Sequence, residues 1–205
     1  MVLRCILERN SQVPKGGTVP KRYDFQEDFI RRRTVHQGRA VSFRVDTVRL
    51  PNGKKATREY VDHPGAVSVL PFLDDKTVVL VEQYRYPVGL ATLEIPAGKL
   101  DPGEGLLACV KRELREETGY KAARNVPLMN FWPAPAFSNE VLHIYLADGL
   151  TPGKSATDDD EFLRVVQLPF AEVLKRVQDG RIRDSKTMIA VLAVKALGRR
   201  RYYNK

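Results

Sequence analysis

From Gly98 to Gly119 the chain reads GKLDPGEGLLACVKRELREETG, an order that admits little beyond a glycine-rich loop running into an amphipathic helix. Leu107, Val110 and Leu114 recur at i, i+3 and i+7, which predicts one apolar stripe on a helix over 105–118, ended by Gly119. On that helix Glu113 and Glu117 lie one turn apart on the same face, with Glu116 beside them. Like charges at this spacing repel, so a bare cluster costs the helix stability, whereas a hard divalent cation with oxygen ligands converts the repulsion into binding. Magnesium suits such a donor set, with manganese as the alternative. Gly98 and Gly103 give the loop freedom for backbone carbonyls to approach an ion. Arg112 is placed to tether Glu104 or one of the helix carboxylates. The ordinary alternative is a solvated acidic face offset by Lys111, Arg112 and Arg115.

The rest of the chain supplies strands. Val41 to Val48 alternates apolar and polar with period two before a turn at Pro51-Asn52-Gly53, as a half-buried hairpin strand does. Further strands are expected at Ala66 to Leu73, Thr77 to Tyr84, Thr92 to Ile95, Val141 to Ala147 and Phe162 to Leu168, with a polar loop over 148–161. Two helices follow, from about Phe170 to Gln178 and from about Asp184 to Leu197, the second capped by Asp184 or Ser185. Strands broken by a central helix and closed by others imply an α+β sandwich, with residues 1–60 as a small β-rich unit and 61–205 as the main domain.

Charge and cysteine usage narrow the setting. The chain carries a net +9, but the surplus sits at the ends: residues 1–60 hold 14 basic and 6 acidic side chains, and residues 195–205 hold 5 basic and no acidic ones. Polyanions and phosphorylated substrates are therefore candidates. Arg31-Arg32-Arg33 and Arg199-Arg200-Arg201 lack the aromatic interleaving of a stacking platform, so nucleic acid is not the expected partner. Cys5 and Cys109 match no zinc or disulfide pattern, which fits a reducing, cytoplasmic setting. The apolar run in MVLRCILERN is too short for a signal segment, and Met188 to Val194 stops at Lys195, so no membrane span is expected. His36, His63 and His143 lie in unrelated segments and form no nucleophilic triad with a serine or cysteine.

The stretch from Gly98 to Tyr120 resembles the G-x5-E-x7-R-E-U-x-E-E-x-G-U box of the Nudix hydrolases, where U is a bulky aliphatic residue. Gly98, Glu104, Arg112, Glu113, Leu114, Glu116, Glu117 and Gly119 all fit, and only Tyr120 departs, at a packing position. The resemblance implies a Nudix α/β/α sandwich and metal-dependent cleavage of the P–O–P bridge of a nucleoside diphosphate linked to another group. Glu113 and Glu117 would be the principal metal ligands, with Glu116 and the carbonyl of Ala97 contributing. Glu116 and Arg112 would belong to the catalytic machinery.

Outside the box, Pro135 falls 15 residues after Tyr120, and Pro133 to Glu140 is similar to a loop of the ADP-ribose pyrophosphatase subgroup, although Ala136 stands where glycine is usual. Glu82 to Pro87 and Leu93 to Gly98 also look like that subgroup. There Arg85 would contact substrate phosphates, with a surface ion pair as the competing role, and Glu94 would serve the substrate or metal site or support its loop. Glu161 is expected as the base that activates water, with Asp159 or Asp160 as alternatives one or two residues away. Tyr23, Phe25 and Phe29 are candidates for base stacking, against the commoner role of core residues. The implied reaction is ADP-ribose to AMP and ribose 5-phosphate, in a homodimer built through the N-terminal domain. GDP-mannose or another nucleotide sugar is the rival substrate, and a non-catalytic module binding nucleotide or nucleic acid is the rival class.

Overall fold

The computed structural model describes residues 24–153, 162–199 and 202. Two units divide the chain: the described residues up to His63 together with Ala134–Glu140, and Pro64–Pro133 together with the described residues from Val141 onward.

The first unit is an antiparallel meander of β1 (Asp28–Gln37), β2 (Ser42–Arg49) and β3 (Lys55–Asp62). The strand expected from residue 41 is β2, and the anticipated turn joins it to β3, with Gly53 at φ +83° accepting a conformation that other residues resist. Asp46 holds the sheet together: Arg32 donates to its two oxygens from Nε at 2.9 Å and Nη2 at 2.8 Å, and Tyr60 donates at 3.4 Å. Arg32 is thereby committed to the fold rather than to solvent alone. Phe25 and Phe29 are exposed, so they are not the core residues that sequence statistics favour, and Tyr23 lies outside the described residues. Ala134–Glu140 is strapped to this unit. Val61 N–H donates to the Phe137 carbonyl at 2.8 Å, and the Asn139 side chain accepts from His63 N–H at 2.8 Å and donates to Asp62 at 2.7 Å.

The second unit comprises β4 (Ala66–Pro71), β5 (Thr77–Arg85), β6 (Leu90–Glu94), β7 (Ala97–Lys99), α1 (Leu106–Thr118), β8 (Lys121–Phe131), β9 (Leu142–Thr151), β10 (Leu163–Pro169), α2 (Phe170–Gln178) and α3 (Ser185–Leu197). Its sheets have the orders β7-β4-β9-β8, with β4 and β9 parallel, and β10-β5-β6. Strand β4 is buried throughout because its period of two feeds two cores. Val67 and Val69 pack with Cys109, Val110 and Leu114 of α1, and Ala66 and Leu70 pack with Val173 of α2 and Ala190, Val191 and Val194 of α3. Helices therefore cover both faces of the sheet, which is the expected α/β/α sandwich of an α+β protein.

Two local expectations need correction. Leu107 is exposed, because the buried stripe of α1 runs instead through Cys109, Val110, Glu113, Leu114, Glu117 and Thr118. The loop expected from 148 onward begins later, since β9 continues to Thr151 by pairing with β8. Strand β8 itself was missed: Lys121–Phe131 carries scattered polar residues and Pro127, so it shows no clean alternation, and pairing with β9 decides its conformation.

Candidate active site

Helix α1 starts at Gly105 without a side-chain cap and ends at Gly119, whose left-handed backbone (φ +75°) lets its N–H donate to the Arg115 carbonyl at 2.8 Å. Its inner face buries two carboxylates, Glu113 and Glu117, beside apolar neighbours. Burying charge is costly unless it is paired, and the surroundings show how the cost is offset. Ala97 N–H donates to Glu117 Oε2 at 3.2 Å. Arg112 donates from Nη1 to Glu113 at 2.7 Å and Glu116 at 3.1 Å, and from Nε and Nη2 to the two oxygens of Glu104 at 2.9 and 2.8 Å. Its Nη2 also donates to the Lys99 carbonyl at 3.0 Å. One guanidinium therefore ties two helix glutamates to Glu104 and Lys99 of the preceding segment, as a planar five-donor fork can and a lysine cannot. Its hydrogen bonds are the main cause holding the Glu104 carboxyl down at about 2.

Gly98 is needed for a reason that flexibility alone does not give. A Cβ built there would fall 1.8 Å from Oε1 and 1.9 Å from Cδ of Glu113. The missing methyl is the space the Glu113 carboxylate occupies, so loop and helix approach closely enough to set acidic oxygens against the β7 backbone. Gly103, by contrast, does serve the turn, at φ +79°. Among the described residues no three or more His, Cys, Asp or Glu side chains are gathered closely enough to hold a metal ion between them. The carboxylates of Glu113, Glu116 and Glu117 are nonetheless oxygen donors of the kind a hard divalent cation takes, two of them buried and one set in the cradle at Gly98. Cys109 is buried, and that burial pushes its thiol up to about 12, so it packs as expected.

A second cluster assembles where β6 ends. Glu94 is only 2% exposed and meets two cations: Arg85 donates to it from Nε at 2.9 Å and Nη2 at 2.7 Å, and Lys186 Nζ donates from the first turn of α3. Burial would raise the Glu94 carboxyl, but Arg85 and Lys186 together hold it at about 2. Lys186 also donates to Asp184 at 2.8 Å, and Asp184 caps α3 by accepting from Thr187 N–H at 3.0 Å. Thr187 Oγ1 accepts from Ile95 N–H at 2.9 Å, which ties the helix start to the strand leading into Ala97.

The structure thus sets Glu113 against Gly98 and Glu117 against Ala97, ties Glu113 and Glu116 to Arg112, and joins Arg85 to Glu94. Pro135 is exposed on the loop that belongs with the first unit. Glu161, with Asp159 and Asp160, lies outside the described residues. Tyr120 packs in its aliphatic slot and its hydroxyl accepts from Gln167 at 2.9 Å. Sequence reasoning saw Asp184 only as a cap and missed Lys186 and Thr187. The available signal was a lysine in the first turn of a helix, where the macrodipole disfavours a cation.

The NUDIX domain profile matches residues 62–190. The chain is 43% identical over 169 residues to a "Methanol dehydrogenase activator" of Bacillus methanolicus, covering 82% of this chain and 91% of that protein. It is 38% identical over 168 residues to an "ADP-ribose pyrophosphatase" of Bacillus subtilis (strain 168), covering 81% and 91%. A crystal structure described as an ADP compounds hydrolase superposes with a TM-score of 0.74 over 87% of this chain and all of that one, at 23% identity, a likeness of fold.

Proposed function

The chain belongs to the Nudix hydrolases, a divalent-metal-dependent family, and on that premise we propose that it hydrolyses the pyrophosphate bond of a nucleoside diphosphate sugar, ADP-ribose first among them, to AMP and ribose 5-phosphate. The observation that carries this reading is the glutamate cluster of α1, intact at every position and set against the β7 backbone through the clearance at Gly98. The ADP-ribose pyrophosphatase relative, matched over most of both chains, supports the substrate.

Glu113, Glu116 and Glu117, with the Ala97 carbonyl, would hold Mg²⁺, or Mn²⁺ in its place. Bound cations would neutralise the bridging phosphates and lower the pKa of the attacking water. Arg112 holds Glu113 and Glu116 in place through one shared nitrogen; Arg85 offers charge to a phosphate; Glu161 is proposed as the base, and Pro135 as part of the loop that reads the substrate, both on the sequence resemblance alone. GDP-mannose is the rival substrate because nothing in the box reads the base or the sugar.

A homodimer through the N-terminal unit is part of the proposal. Along β1–β3 only Asp46 and Val48 are buried among the described residues, while the edge strand β1 exposes Phe29, Ile30 and Val35. An edge strand that exposes apolar side chains is a template for a second copy.

Purified protein assayed with Mg²⁺ against a panel of nucleoside diphosphate sugars is expected to release AMP from ADP-ribose with the highest kcat/KM, and light scattering of the same sample to give twice the 23.2 kDa chain mass. No turnover across the panel in Mg²⁺ and Mn²⁺ would overturn the catalytic reading, and a 23 kDa particle the dimer.

A further inference from the structure

The β6–α3 cluster carries an inference that rests on the nucleotide-sugar reading and deepens it. Glu94, buried and singly charged, is shared by two cations, and its partner Lys186 is in turn shared by two anions, Glu94 and Asp184. Asp184 already spends its second oxygen on the start of α3, where the helix N-terminus offsets part of its charge. Arg85 binds Glu94 through one edge of its guanidinium only. Its Nη1 donates to no described residue, and its side chain is 41% exposed. Glu117 accepts from Ala97 N–H at 3.2 Å, three residues beyond Glu94, so the cluster and the carboxylates of α1 meet along the same short stretch of chain.

We propose that Lys186 is a positioning residue for substrate binding: by sharing Glu94, it leaves Arg85 a fixed guanidinium with unspent positive charge that attracts a phosphate of the nucleoside diphosphate. Alone with Arg85, a buried Glu94 would neutralise it as a closed ion pair. With Lys186 present, that carboxylate is divided between two cations and the outer edge of Arg85 keeps its pull on an anion. Thr187 adds the mechanical half of the arrangement, since its hydrogen bond from Ile95 holds the strand end on which Glu94 sits.

The sign of the electrostatic effect separates this role from a merely structural one. Lys186→Met removes a positive charge from the cluster and Asp184→Asn removes a negative one, while asparagine still caps a helix. Both break an ion pair with little exposure, so a structural role would weaken binding in both variants. Affinity for α,β-methylene ADP, measured by calorimetry in EDTA and again in Mg²⁺, is expected to fall about tenfold in Lys186→Met and to hold or rise in Asp184→Asn. In an Arg85→Gln background the Lys186→Met change should have no further effect. The corresponding kinetic signature in Lys186→Met is a raised KM with kcat nearly unchanged.

Affinity falling in both charge variants, or an undiminished Lys186→Met effect without Arg85, would overturn the proposal even if Lys186→Met folds poorly. A wild-type protein that cleaves no nucleotide sugar would instead remove the functional reading on which it rests.

Discussion

Glu117→Gln is expected to lower kcat at least ~100-fold, beyond the ~10–100-fold that losing an outer-shell partner costs, while the melting temperature barely moves. Glutamine keeps the size of the side chain, and its carbonyl oxygen can still accept from Ala97 N–H, the 3.2 Å contact that Glu117 makes now. What it loses is charge, on a side chain buried to 3% exposure. A structural carboxylate there would be tolerated better as an amide, since burying a neutral polar group costs less than burying an ion. Glu113→Gln should behave similarly, with one addition: Arg112 loses an anionic partner but keeps Glu104 and Glu116. Steady-state kinetics in Mg²⁺ with thermal unfolding on the same samples test both variants. Near-normal turnover in both would refute the assignment of these carboxylates to metal.

Gly98→Ala is expected to be as damaging as losing a glutamate, although it removes no functional group. The added methyl would sit 1.8 Å from a Glu113 oxygen, so the carboxylate must leave its place. Gly98 lies in strand β7 and pairs with Val67, and the clash is with a side chain rather than with backbone. The fold should therefore survive with a loss within the ~1–3 kcal/mol usual for overpacking. Turnover should fall at least ~100-fold through weakened Mn²⁺ affinity, by the same reasoning as for a ligand removed, read by calorimetric titration beside the unfolding curve. Unchanged Mn²⁺ binding in Gly98→Ala would show that the close approach of loop and helix has no part in holding the ion.

The α1 part of the site was legible in sequence because its logic is local. A helix places residues by a fixed rotation, so the neighbourhood of Glu113, Glu116 and Glu117 follows from their spacing, and Arg112 reaches Glu116 across one turn. The α3 cap at Asp184 was readable for the same reason. What stayed hidden depends on chain segments far apart. Lys186 meets Glu94 across 92 positions, and nothing in either local sequence announces the other. Gly98 was singled out correctly but for flexibility, because the carboxylate that fills its missing side chain comes from the helix packed opposite. Leu107 was placed in the core because apolar spacing cannot tell which stripe faces inward when glutamates share the buried one. Strand β8 was invisible because its conformation is set by its partner β9 rather than by its own alternation.

The central claim is that acidic side chains of α1 hold divalent cations against the bridging phosphates of the substrate. Crystals grown with Mn²⁺ and α,β-methylene ADP-ribose, with anomalous data collected at the manganese edge, test it directly. Peaks within coordination distance of Glu113 and Glu117 and of the analogue's phosphate oxygens are the expected result. Ordered analogue with no manganese at those carboxylates would contradict it.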